Sequence, residues 1–115
     1  MYTAWLGFWR QSCQNLASMK YAVILSPQAR AQFHSLSAYD RARVRDAIDE
    51  HLQHCPTTES RSRIKRLRGL RKPQYRLRAS DMCVFYDVEG SAVVVHAIVA
   101  KSHAAEWLAE EGEPS

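Results

Sequence analysis

Two long apolar runs joined by a tight turn constrain the fold of this chain more than any other feature. The runs are Met82–Glu89 and Ser91–Ala100, and Glu89-Gly90 between them suits a two-residue hairpin turn. The second run is apolar on both faces, which is typical of a strand in the middle of a sheet. These residues therefore predict a hairpin of two strands at the centre of a sheet.

Upstream of this hairpin, the chain carries the start signals of two helices. Ser26 precedes Pro27, and Ser37 precedes an acidic residue at Asp40, so each serine can cap the N-terminus of a helix. Apolar residues at helical spacing follow both serines, and Pro56 ends the second pattern. The segment therefore predicts a helix hairpin.

The remaining elements complete an α+β pattern. Short strands are predicted at residues 21–25, 64–67 and 75–79, a turn at 69–73, and a last helix at about 102–110. We therefore predict an antiparallel four- to five-stranded sheet packed against an N-terminal helix hairpin, with a short C-terminal helix.

Length and composition indicate one domain. The chain has 115 residues, 46% of them hydrophobic, and a net charge of +4. We place the domain at residues 19–110, a disordered or helical extension at 1–18, and a tail at 111–115. No apolar stretch approaches the roughly 20 residues that span a bilayer, and the three cysteines are widely spaced. We expect a cytoplasmic protein with reduced thiols, no metal site, no cofactor and no membrane partner.

A basic block gives the clearest indication of function. Residues 61–78 hold nine of the sixteen lysines and arginines and no carboxylate. Apolar residues interrupt the block, so it can be anchored to a core while its cations face outward. Such a surface is typical of a protein that binds a polyphosphate or an acidic protein partner. A merely solvated charged face is the alternative.

Two arginines of this block fall on one face of a predicted strand. Alternation along residues 75–79 directs Tyr75, Leu77 and Ala79 to one face, and Arg76 and Arg78 to the other. Their Cα atoms are expected about 6.6 Å apart, from a rise of about 3.3 Å per residue. Two guanidinium groups at that spacing suit a grip on one segment of nucleic-acid backbone.

The order of these features resembles the RelE/ParE superfamily of bacterial toxins over about residues 19–110. The resemblance rests on the capped helix hairpin, on Leu67-Arg68-Gly69, and on the segments YRLR at 75–78 and VFYDV at 84–88. It implies the toxin of a type II toxin–antitoxin system, neutralised by a cognate acidic antitoxin. RelE-like members cut mRNA on the ribosome by metal-independent attack of the RNA 2′-hydroxyl, whereas ParE-like members inhibit DNA gyrase.

The same resemblance implies roles for individual residues. In a RelE-like endoribonuclease, Arg76 and Arg78 flank the scissile phosphate, Lys101 adds charge and Trp107 stacks on a base. We add His103 to this catalytic set, because an imidazole that titrates near neutral pH suits proton transfer. The residues expected to contact RNA phosphates are Lys65, Arg66, Arg68, Arg71 and Lys72.

Three positions depart from the RelE-like pattern. Cys83 stands where an arginine is expected, Lys101 replaces an arginine, and Trp107 has no phenolic proton. Removal of one preorganised charged donor typically lowers a rate by about 10²–10³. The leading prediction from the sequence is still a ribosome-dependent mRNA endoribonuclease. The alternatives are a non-catalytic inhibitor of DNA gyrase and a decayed toxin that only binds its antitoxin.

Overall fold

The computed structural model describes Thr3–Ala4 and residues 20–115, so most of the predicted extension at 1–18 lies outside the described residues. The α+β fold class is confirmed. The α-helices are α1 (Pro27–Ser35), α2 (Ala38–Ala47) and α3 (Ala104–Glu111). A π-helical turn, Ile48–Leu52, continues α2, and a 3₁₀ turn, Lys101–His103, precedes α3.

The strands of the described chain form one large sheet and one small one. Their bounds are β1 (Thr3–Ala4), β2 (Ala22–Leu25), β3 (Ile64–Arg66), β4 (Leu70–Lys72), β5 (Tyr75–Ala79), β6 (Met82–Glu89), β7 (Ala92–Ala100) and β8 (Glu113–Pro114). The large sheet has the order β1-β2-β7-β6-β5-β3, and β4 pairs with β8 in the small sheet. The predicted central hairpin is thus β6–β7.

Both serine caps are confirmed. The Ser26 hydroxyl accepts a hydrogen bond from the backbone N–H of Ala29 at 3.1 Å, and the Ser37 hydroxyl accepts one from Asp40 at 3.1 Å. Each bond satisfies one of the backbone donors that a helix N-terminus leaves unpaired. The two caps fix where the hairpin of α1 and α2 begins and turns.

One pair of strands differs from the antiparallel arrangement that we predicted. β2 lies parallel to β7, with Val23 opposite Val93 and Leu25 opposite Val95. A tight turn can join only antiparallel strands, but the long connection between β2 and β7 allows a parallel pair. The other described pairs, from β1–β2 to β3–β5, are antiparallel.

The main core lies between the helix hairpin and one face of the sheet. Val44, Ile48 and Leu52 from the hairpin side are fully buried, as are side chains of β5, β6 and β7. Tyr86 in β6 is buried here as well, and its hydroxyl donates a hydrogen bond of 2.6 Å to the carbonyl oxygen of Pro56. This bond ties the sheet to the end of the helix hairpin.

The segment predicted as a turn at residues 69–73 contains a strand. Leu70 in β4 lies opposite Pro114 in β8, and Arg71 forms an ion pair with Glu113. The turn prediction was wrong for 70–72 because the strand's partner comes from the far end of the chain, and no local rule detects such a partner. The C-terminal residues therefore lie against the basic block.

Candidate functional site

The two arginines of β5 lie on the sheet face that points away from the helix hairpin. Arg76 is opposite Phe85, and Arg78 is opposite Cys83 in the neighbouring strand β6. Leu77 is buried in the main core on the other face. The predicted alternation is therefore confirmed, and both arginines share a face.

Lys101 joins these arginines around Cys83. The positive charges of Arg76, Arg78 and Lys101 each act to lower the pKa of the Cys83 thiol, but burial outweighs them and raises that pKa above its ordinary value. Cys83 is only 2% exposed. Three cations, which we call the basic cluster (Arg76, Arg78 and Lys101), thus surround a buried, uncharged thiol.

Arg76 has a further property that matters for binding. Its Nε–H group is buried and has no hydrogen-bond acceptor in the part of the chain that the structure describes. An unpaired buried donor costs about 1–3 kcal/mol, so an oxygen atom supplied by a partner would stabilise the site. Lys65 is the cross-strand neighbour of Arg76 in β3 and therefore lies on the same face.

Helix α3 covers the middle of this face. The Trp107 ring stacks on the Phe85 ring, with centroids 4.9 Å apart and planes 7° apart. Leu108 and Ala104 pack on the same small cluster, which includes Cys83. One face of the Trp107 ring is therefore already occupied by Phe85, which leaves at most its other face for a base.

His103 lies beside the basic cluster in sequence but points into solvent. It is exposed, and its Nδ1 atom is 3.7 Å from a carboxylate oxygen of Glu106. An exposed pair of this kind contributes little to stability. The structure thus places His103 near Lys101 along the chain, at the rim of the site.

The five residues predicted to contact phosphates do not form one surface. Lys65 shares the face of Arg76, but Arg66 is opposite Tyr75 and its guanidinium lies 5.1 Å from that ring's centroid. Tyr75 packs against the main core, so Arg66 belongs to the other face at the sheet edge. The two predicted phosphate contacts on β3, Lys65 and Arg66, therefore lie on opposite faces of the sheet.

The other three predicted contacts lie on the β3–β4 turn and on β4. Arg68 is exposed in the turn, and Arg71 is paired with Glu113. Lys72 is partly buried and lines a cleft near the start of α1. Of these three residues, Arg71 has an ion pair, whereas Arg68 and Lys72 have none with the described part of the chain.

Sequence reasoning missed a buried, hydrogen-bonded pair of side chains on the same sheet face. His96 Nε2 lies 3.0 Å from Asp87 Oδ2, with side chains 13% and 7% exposed. The other carboxylate oxygen of Asp87 accepts a hydrogen bond of 2.7 Å from the backbone N–H of Gln74. The pairing register of β6 and β7 shifts between Phe85 and Tyr86, and a bulge of this kind re-aims a side chain. The signal available in the sequence was the presence of two polar residues, Asp87 and His96, in an otherwise apolar hairpin.

Nothing in the described residues suggests a metal centre or a membrane span. No group of three His, Cys, Asp or Glu side chains there is arranged to hold a metal ion. None of the described helices combines the length and the apolar character that crossing a bilayer requires.

Comparisons with known proteins agree with this architecture. Residues 23–105 match the model of the family described as "ParE toxin of type II toxin-antitoxin system, parDE". The fold is similar to that in "Crystal Structure of RelB-RelE antitoxin-toxin complex from Methanococcus jannaschii", with a TM-score of 0.57, 14% identity, and coverage of 72% of this chain and 95% of that one. No curated protein sequence matches the chain. Because the family match spans more than half of its length, the chain belongs to the ParE toxin family of type II toxin–antitoxin systems.

Proposed function

We propose that this toxin inhibits DNA gyrase by binding to it, without cutting RNA. The observation that carries the proposal is Cys83, a buried thiol at the position where a RelE-like nuclease is expected to have an arginine. The family match to ParE toxins supports the same choice. The basic cluster around Cys83 is then a docking surface for an acidic patch on the target.

The chemistry of RNA cleavage explains why Cys83 matters. Attack by a 2′-hydroxyl needs a group that takes its proton, a positive charge that stabilises the phosphorane, and an acid for the leaving oxygen. The raised pKa of Cys83 keeps this thiol protonated and uncharged at neutral pH. It supplies neither a positive charge nor a base, whereas binding to an acidic surface needs only Arg76, Arg78 and Lys101.

The natural regulator on this proposal is a cognate acidic antitoxin. The similar fold from Methanococcus jannaschii was solved as an antitoxin–toxin complex, and the block at residues 61–78 contains no carboxylate. An acidic chain laid over the basic cluster would satisfy the buried Nε–H of Arg76 and block the target at once. Electrostatic attraction of this kind raises the association rate and weakens as salt is added.

A supercoiling assay with purified gyrase tests the proposal. We expect the wild-type toxin to inhibit gyrase, and Arg76→Ala with Arg78→Ala to weaken inhibition by about tenfold or more, since each lost charge contact is worth about 1 kcal/mol or more. A matched control is Arg30→Ala with Arg45→Ala, which removes two exposed charges from the helix hairpin. Normal supercoiling at saturating toxin would contradict the proposal.

The endoribonuclease is the second candidate, and the convergence of three cations favours it. Arg76, Arg78 and Lys101 all act on one point, the Cys83 thiol, and such a cluster can stabilise a phosphorane. The test is primer extension on a reporter message after induction of the toxin. Cuts at fixed codon positions that disappear in His103→Ala would support a nuclease, whereas an intact message would exclude it. A toxin with neither activity would be the decayed, antitoxin-binding form.

A further inference from the structure

A short segment after α3 lies along strand β4 and fills its edge. Residues 112–115, which we call the strap, run antiparallel to β4, and Pro114 lies opposite Leu70. The backbone N–H of Ser115 donates a hydrogen bond of 3.2 Å to the carbonyl oxygen of Gly69. In the part of the chain that the structure describes, β8 of the strap is the strand that pairs with β4, and β4 has no second partner strand there.

The strap brings negative charge to the basic block. The Glu113 carboxylate forms an ion pair with the Arg71 guanidinium in the middle of β4, and Glu111 stands immediately before the strap. The block at residues 61–78 contains no carboxylate, so a carboxylate for Arg71 has to come from another part of the chain or from a partner. The strap therefore shows what this edge accepts, which is an extended backbone with an acidic side chain.

Few interactions hold the strap in place. Strand β8 is two residues long, and Pro114 has no backbone N–H to donate to the ladder. The side chains of Arg71 and Glu113 are 73% and 46% exposed, and an exposed ion pair contributes little to stability. A two-stranded sheet on its own is at most marginally stable in water. A partner strand can therefore take the place of the strap.

The cations around this edge indicate the chemistry of that partner. Arg71 lies in the middle of β4, and Arg68 is exposed in the turn before it. An extended polypeptide with carboxylates at alternate positions continues the ladder on β4 and places its charges on one face. The phosphate backbone of a nucleic acid can pair with the same cations, but it has no amide groups that continue a β ladder. An acidic polypeptide therefore fits this edge better than a nucleic acid does.

We propose that the edge of β4 is a docking site for an extended, acidic segment of a partner protein, and that the strap occupies this edge until the partner displaces it. The partner segment forms with Leu70–Lys72 the strand pairing that β8 forms in the free protein. A longer segment also pairs with more of β4 than the two residues of β8 do. The basic cluster is not part of this edge, so the inference holds whichever target the basic cluster binds.

Gly112 sets the path of the strap and provides a way to loosen it. A Cβ atom at this position would lie 2.5 Å from the carbonyl oxygen of Leu108 and 3.2 Å from Cδ2 of Leu70. The first distance is too short for a real contact, and its partner is a backbone atom that cannot rotate away. Gly112→Ala therefore moves the strap relative to the end of α3 and leaves the residues of β4 unchanged.

A peptide titration followed by NMR of the full chain tests this inference. The probe is a peptide of about six residues, the usual length of a strand, in which glutamate and valine alternate. Its control is the same peptide with methylated backbone nitrogens, which keeps the charge but cannot form a ladder. We expect the first peptide to shift the backbone amide resonances of Leu70–Lys72 in a saturable way. Gly112→Ala should bind it about tenfold more tightly than the wild type, since a strap closed in about nine molecules of ten lowers the apparent affinity by that factor.

Two variants with the same change of charge give a second measurement. Glu113→Lys replaces the ion pair with Arg71 by repulsion and should open the strap. Glu110→Lys makes the same change at an exposed position of α3 outside β8. The first variant should tighten peptide binding about tenfold, and the second by less than about twofold.

Three results would overturn the inference. The acidic peptide may leave the β4 resonances unmoved in the wild type and in the strap variants, or the methylated peptide may bind as tightly as its parent. A single-stranded oligothymidine that gains the same factor from both Gly112→Ala and Glu113→Lys would identify the edge as a nucleic-acid contact instead. None of these measurements involves gyrase, so their outcome is separate from that of the supercoiling assay.

Discussion

Arg78 and Cys83 are direct cross-strand partners in β5 and β6, so a charged side chain shares its immediate surroundings with a buried thiol. Arg76 and Lys101 also act on the same thiol. The site thus concentrates three positive charges around the Cys83 side chain, which is itself uncharged. This relationship makes position 83 the most informative place for a substitution.

Cys83→Arg is expected to destabilise the protein, although it restores the residue that the RelE-like pattern predicts. The new guanidinium would lie in a site that is 2% exposed and already surrounded by three cations. We expect the free energy of unfolding in urea to fall by about 3 kcal/mol, since an unpaired buried charge is strongly unfavourable. Cys83→Ala, which adds no charge, is the control and should lose about 1 kcal/mol. Equal stability of Cys83→Arg and the wild type would show that this face opens to solvent.

Tyr86→Phe tests the effect of burial on a titrating group. The variant loses the hydrogen bond to Pro56 and should be less stable by about 1–2 kcal/mol at pH 7. Burial, aided by Tyr75 and Cys55, raises the pKa of Tyr86 above its ordinary value of 10.0. The stabilisation that comes from this raised pKa is therefore fully present below pH 10. It is lost progressively above pH 10, because Tyr86 then ionises in the unfolded chain.

The consequence is measurable in urea denaturation between about pH 9 and 11. Above pH 10 the wild type should lose about 1.4 kcal/mol per pH unit relative to Tyr86→Phe, so the difference between the two proteins should shrink. Tyr39→Phe is the matched control, because Tyr39 is 61% exposed. A difference that stays constant across this range would contradict the assigned burial.

Two substitutions at Trp107 separate its ring stacking from its N–H group. Trp107→Ala removes the contact with Phe85 and should lower the free energy of unfolding by about 3 kcal/mol, as for other large aromatic truncations. Trp107→Phe keeps a ring in place and removes the unpaired Nε1–H, so it should change stability by less than about 1 kcal/mol. If both variants lose the same stability, stacking is not what holds α3.

The two helix caps should differ in strength. Ser26→Ala removes two hydrogen bonds, to Ala29 and His96, at a buried position, whereas Ser37→Ala removes one exposed bond to Asp40. We expect losses of about 2 kcal/mol and about 1 kcal/mol in thermal or urea unfolding. The reverse order would show that the bond between Ser26 and His96 contributes nothing.

Local rules predicted the parts of the fold that depend on neighbouring residues. A period of two placed Arg76 and Leu77 on opposite faces, and hydroxyl caps located the starts of α1 and α2; both features are confirmed. These rules work because a strand or a helix end is determined within a few residues. The shared face of Arg76 and Arg78 followed from them once β5 had been identified, whereas Lys101 was named from the resemblance to the RelE/ParE superfamily.

The missed features all depend on contacts between distant parts of the chain. The strand at Leu70–Lys72 needs Glu113–Pro114 as its partner, and the stack on Phe85 needs α3 to fold back over the sheet. The pair of His96 and Asp87 needs a change of register between two strands. No periodicity in the sequence encodes such long-range contacts, so the cleft that they form could not be predicted from the sequence.

The parallel alignment of β2 with β7 also determines when the toxin can assemble during its synthesis. Val23 in β2 cannot pair with Val93 in β7 until Val93 has been synthesised, and Lys101 is synthesised later still. A nascent chain that lacks these last strands cannot complete the sheet, since contacts this remote in sequence form only after both segments are available. A member of a toxin family thus stays unassembled until its strand β7 has been synthesised.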